Sequence, residues 1–127
     1  MATNGLLFHS ETISYHWDNK KKFHDDYIYL TKIYETFLVL ISKELDRIHN
    51  EENSIDYWRI VIGPWLRRFI DIFYDRYSSI KDASNFSDKL NTIVIKINPE
   101  DTVPIDFLDF KDLCISDEWN HYIYSII

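Results

Sequence analysis

The chain has almost no breakers of regular structure: two glycines and three prolines among 127 residues. So few argue against a sandwich or barrel with many turns, and against a glycine-rich phosphate loop. A single cysteine, Cys114, excludes an internal disulfide and a thiolate metal cluster within one chain, and fits a reducing cytoplasm. Long apolar runs are missing too. The longest, Phe37-Leu38-Val39-Leu40-Ile41, falls far below the ~20 residues that span a bilayer. The opening Met-Ala-Thr-Asn-Gly-Leu-Leu-Phe-His lacks the basic region and apolar core of a secretory signal. These absences predict a cytoplasmic protein with no membrane span. Cations are scarce in the last third, with 3 Lys+Arg against 9 Asp+Glu over residues 82–127, whereas residues 1–81 carry 11 against 12. A formal charge of −7 repels phosphate backbones, and no basic stripe offsets it, so no nucleic-acid partner is expected.

Aromatic residues are abundant. They make up 17% of a chain that is 46% hydrophobic and 28% charged, a globular balance in which 1–127 reads as a single domain. After Asp18-Asn19, either of which can cap a helix, apolar residues recur at Phe23, Tyr27, Leu30, Tyr34, Phe37, Ile41, Leu45 and Ile48. That is one stripe of a helix reaching about His49, roughly 45 Å long at 1.5 Å per residue. Ile28, Ile33, Leu38 and Leu40 widen it, which predicts burial against more than one element. Asn50-Glu51-Glu52-Asn53 reads as a turn and Ser54 as the next cap. The following helix breaks at Gly63-Pro64, because proline cannot donate and its ring clashes with the preceding turn. Trp65, Leu66, Phe69, Ile70, Phe73, Tyr77 and Ile80 then form a second stripe, and two long helices joined by a short turn predict an antiparallel hairpin over about 19–81.

Beyond a polar loop, Thr92-Ile93-Val94-Ile95-Lys96-Ile97 is dense in β-branched residues and reads as a strand over about 92–97, with Glu11 to Tyr15 its one plausible mate. Residues 105–127 read as short C-terminal helices, the first with Phe107, Leu108 and Leu113 inward, the last opened by Ser116 and acidic in its first turn. The expected fold is mainly α with a small β element: a long antiparallel hairpin kinked at Gly63-Pro64, one or two strands, and short C-terminal helices. An apolar end at Ile126-Ile127 beside an underpaired strand reads as a truncated piece of a larger α/β protein.

Chemistry is thinly signposted. His9, His16, His24, His49 and His121 show no paired metal-ligand spacing, so neither a metal nor another cofactor is expected. No Gly-x-Ser-x-Gly appears, and Cys114 in an apolar setting reads as core. Lys20-Lys21-Lys22 reads first as solvated surface. Arg67-Arg68, just past the helix break, is the more interesting cationic pair, since an anion there has guanidiniums beside free backbone N–H groups.

Three strings, Tyr15-His16-Trp17-Asp18, Tyr57-Trp58-Arg59-Ile60-Val61-Ile62-Gly63-Pro64-Trp65-Leu66 and Ser116-Asp117-Glu118-Trp119-Asn120-His121, stand in order around the long helix. Together they resemble the amino-terminal part of a bacterial surface-carbohydrate (O-antigen biosynthesis) transferase family. The resemblance implies a module, inactive alone, that works with a glycosyltransferase-like C-terminal domain; self-association through the apolar Ile93-to-Ile97 edge and Tyr122-to-Ile127 face is read from the residues instead. The resemblance carries over no catalytic residue. It puts His16, Asp18, Arg59, Trp65, Asp117, Glu118, Asn120 and His121 at motif positions, and makes His16, Asp18, Arg59, Trp65, Glu118, Asn120 and His121 candidate substrate-binding residues. The competing reading is a freestanding helical interaction module that forms a homodimer.

Overall fold

A computed structural model describes residues 11–86 and 91–127. A 3-10 turn at His16–Asp18 leads into α1 (Lys20–His49); α2 (Ile55–Val61), α3 (Gly63–Phe86), α4 (Phe107–Leu113) and α5 (Asp117–Ile126) follow, with a second 3-10 turn at Pro99–Thr102. Caps set the boundaries. The side chains of Asn19, Ser54, Asp106 and Ser116 each accept a first-turn backbone N–H, satisfying donors that have no partner inside the helix. Asn50 ends α1 in the left-handed region at φ 53°, a conformation asparagine tolerates.

Contacts along the hairpin run in opposite directions on its two arms. Asp46 meets Trp58, Glu35 meets Arg59, Thr31 meets Arg67 and Asp26 meets Tyr74, so α1 descends while α2 and α3 climb. Asp46 pins the turn by accepting from the buried Trp58 indole N–H (2.9 Å) and from the Asn53 backbone N–H (3.1 Å). The break falls where Pro64 removes the bond that would reach the Ile60 carbonyl. Ile62 bridges it, donating to the Trp58 carbonyl and accepting from the Leu66 N–H. Gly63 is buried there, and a β-carbon on it would stand 2.7 Å from the Tyr34 hydroxyl, so glycine lets that hydroxyl sit against the break.

The main core lies on the other side of α3. Phe110, Cys114, Trp119 and Ile123 pack under Trp65, Phe69, Ile72 and Phe73, with Trp65 stacked on Phe69 at 5.4 Å. Cys114 is buried, as its apolar setting predicts. In α4 Leu113 packs against the core as expected and Phe110 is buried in it, whereas Leu108, 66% exposed, and Phe107, also exposed, do not point inward. The long stripe of α1 is likewise only partly covered. Leu30 and Leu38 are buried, while Phe23, Tyr27, Phe37 and Ile48 remain exposed.

The expected small β element is not there. Among the described residues there is no strand: 92–97 is an irregular segment with Ile93 83% exposed, and 11–15 is irregular as well. A β-branched run expresses only a local preference, and a strand also needs a neighbour to take its backbone groups. Here one bond is seen, from the Ile95 N–H to His121 Nε2 at 2.6 Å. The fold of the described residues is helical, without the α/β character expected of it.

Candidate functional site

The chemistry-bearing side chains gather where the first 3-10 turn crosses α3. His16 is almost wholly enclosed, and its Nε2 lies 2.8 Å from Asp75 Oδ1. A carboxylate only accepts, so the ring hydrogen sits on Nε2, and Nδ1 is left buried without a partner among the described residues. The other oxygen of Asp75 is held by the Arg76 guanidinium. Arg76 Nε donates to Asn120 Oδ1 at 2.7 Å, and the Asn120 amide donates to the Cys114 and Ser116 carbonyls. A continuous polar chain therefore joins the turn, α3 and the start of α5.

A second knot centres on Asp26. It accepts from the Trp17 indole (3.0 Å), the Tyr74 hydroxyl (2.9 Å) and the Lys22 ammonium. Burial opposes its ionisation, but hydrogen bonds from Lys22, Tyr74 and Trp17 prevail and hold its carboxyl below the usual range. Burial and then the Asp26 carboxylate push the Tyr74 hydroxyl upward. Tyr15 is pushed up to about 12, by burial and by the neighbouring Asp75.

Between the turn, α1 and α3 lies a cleft of about 640 Å³, lined by rings that include Tyr15, Phe23 and Tyr27 and by Arg67, Arg68 and Asp71. A second hollow of about 440 Å³ shares those three residues and extends to Lys111. Arg67 is fixed by Asp71 (3.0 Å), by the Thr31 hydroxyl (3.0 Å) and by the Tyr27 ring, 5.1 Å from its guanidinium carbon.

Of the motif residues, His16 and Asn120 are brought into one network, with Asp75 and Arg76 between them. Arg59 lies elsewhere, bidentate to Glu35 at 2.7 and 2.9 Å. Trp65 belongs to the aromatic core. His121 holds the 91–98 segment through Ile95. Asp18, Asp117 and Glu118 are exposed, Asp117 and Glu118 in the acidic first turn of α5. Lys21 and Lys22 pair with Asp25 and Asp26 one turn on. No motif marks Asp71, Tyr74, Asp75 or Arg76. Among the described residues no group of three or more His, Cys, Asp or Glu side chains is placed to hold a metal ion, and no helix is long and apolar enough to cross a membrane.

Compared with known proteins, the chain matches the sequence model of the LIC12162 family transferases over residues 6–127. It belongs to the LIC12162 transferase family. All three motif strings fall inside the matched range, as do the Asp75–Arg76 bridge and both hollows. No curated protein and no solved structure matches. Membership establishes a transferase family and leaves donor and acceptor to the site itself.

Proposed function

We propose that this chain is the non-catalytic amino-terminal module of a transferase that builds bacterial surface polysaccharide in the cytoplasm, and that residues 1–127 fold as one unit. The observation that carries this reading is what the motif side chains are doing. His16 through Nε2, Arg59 and Asn120 are engaged in joining elements of the fold, Trp65 is packed in the core, and His121 accepts a backbone N–H. None of them presents a nucleophile or an acid–base pair to an open cleft. In this reading His16 and Asn120 shape the cleft from behind, Arg59 and Trp65 brace the helix break, and exposed Asp18 and Glu118 face the substrate or the transferase domain that completes the site. The test is an assay of the purified chain for transfer from nucleotide sugars to glycan acceptors. No transfer is expected, and turnover abolished by Arg59→Ala would overturn the proposal.

A second reading, a homodimer, is favoured by one observation: Phe37, Leu40, Ile48 and Ile60 are all exposed on the hairpin. Sedimentation equilibrium decides it, and a monomer at high concentration removes it.

A further inference from the structure

The two hollows that meet at Arg67 and Arg68 form an island of positive charge in an acidic protein. Arg67 pairs with Asp71 through Oδ2, while Asp71 Oδ1 is buried without a hydrogen-bond partner, and Arg68 and Lys111 have no acidic partner, among the described residues. They stand in a chain with a formal charge of −7, so a surplus of two cations in one groove runs against the protein's overall field. Arg67 adds preorganisation. Its Nε and Nη1 are fixed by Asp71 and Thr31 and its face by Tyr27, which aims a guanidinium at fixed orientation into the groove. On the far side of the arginines the groove is aromatic, and Tyr15, Phe23 and Tyr27 each leave about half their surface open. Arg67, Arg68 and Asp71 line both hollows, and the Arg67 guanidinium carbon lies 5.1 Å from the Tyr27 ring, so the cationic and aromatic linings adjoin at Arg67.

We propose that this groove binds a phosphate ester of a ring compound, with its phosphates on Arg68 and Lys111 beside Arg67 and its ring against Phe23 and Tyr27. Guanidinium and ammonium groups match phosphate oxygens, and the ring faces offer the flat apolar surface that a base or sugar covers. Asp75 also borders the aromatic part, but both its oxygens are occupied by His16 and Arg76, so it does not repel an anion as a free carboxylate would. Binding here is independent of whether the chain catalyses transfer, so it stands or falls apart from the function proposed above.

The experiment is an NMR titration of the full chain with three probes: uridine diphosphate, glucose 1-phosphate and inorganic pyrophosphate. The two esters are expected to shift the Trp17 indole and Arg67 side-chain signals, and pyrophosphate to shift the arginine signals alone. Arg68→Glu, at an exposed position where folding is untouched, weakens all three by about tenfold or more, the value of a charge-assisted hydrogen bond. Phe23→Ala weakens the esters and spares pyrophosphate. A stronger response to uridine diphosphate identifies the ring as a nucleoside, and a stronger response to glucose 1-phosphate identifies it as a sugar. No shift with either ester at about millimolar concentration, or equal binding by Arg68→Glu with its fold verified by circular dichroism, overturns the proposal.

Discussion

Replacing Asp75 by alanine strips two donors of their acceptor at once. His16 Nε2–H is enclosed and finds no water, and Arg76 loses the nearer of its two acceptors. Removing one member of a buried pair costs about 3–5 kcal/mol when the remaining charge is sealed off. Here the Arg76 side chain keeps 23% of its exposure and its bond to Asn120, which places the loss near the lower end, about 3 kcal/mol. For a chain of this size that is a fall of roughly 10–15 °C in Tm. In urea the midpoint drops by about 1.5 M at an m-value of about 2 kcal/mol/M. Unfolding followed by tryptophan fluorescence reads it, with m unchanged between variants. The cycle with His16→Ala isolates the shared term, expected at about 1–3 kcal/mol because the two side chains touch. A loss below about 1 kcal/mol, or a coupling near zero, would refute the claim that this network fastens the turn to α3.

Four further outcomes follow from the same geometry. Gly63→Ala puts a methyl group against the Tyr34 hydroxyl, which offsets the roughly 0.5–1 kcal/mol that alanine gains over glycine in a helix; Tyr34→Phe, which removes that oxygen, should restore the gain, and failure of the double variant to exceed Tyr34→Phe alone in urea melts would remove the close-contact explanation. Asp46→Ala leaves the buried Trp58 indole N–H without an acceptor and should cost about 1–3 kcal/mol, whereas Asp46→Asn, which keeps an acceptor, should cost less. Asp26 has its carboxyl lowered on folding, so its stabilisation is complete above the ordinary value of 3.8 and is lost as pH falls below it. Urea midpoints of Asp26→Asn should accordingly show a shallower acid slope than the parent. Tyr15 shifts the other way, from 10.0 to about 12; the unfolded chain releases that proton first, and stability drains between these values. Tyr15→Phe should flatten that alkaline limb, measured as the difference between the two chains.

Local chemistry was the legible part. Asn19, Ser54 and Ser116 cap the helices they precede because a cap needs only a side-chain oxygen three residues from an N–H, and Gly63-Pro64 breaks the second arm for an equally local reason. The hairpin followed from two stripes of apolar residues joined by a short turn. What escaped was set by pairing at a distance. Thr92 to Ile97 has strand propensity and no mate among the described residues. Asp75 lies nine residues past Leu66, two and a half turns on and so on the opposite side of α3; its burial depends on a turn 59 residues away. Periodicity marked the Phe23–Ile48 stripe as apolar, but coverage depends on which helices arrive, and α2 and α3 cover the line through Leu30 and Leu38. Of the site, Arg67-Arg68 was legible as a cationic pair; the rings and Asp71 beside it become neighbours only once the hairpin closes.

The Thr92–Ile97 segment has a consequence for handling the protein. His121 takes the Ile95 N–H, and among the described residues the Val94 and Lys96 N–H groups have no partner. Six residues with four β-branched isoleucines and valines, no proline and a single charge are the composition that stacks into cross-β ribbons. Lys96 is then the gatekeeper, since like charges repel whenever identical segments line up in register. Solubility at high concentration is predicted to rest on that one ammonium group, with Lys96→Thr shortening the lag before thioflavin-positive fibrils and His121→Ala shortening it further.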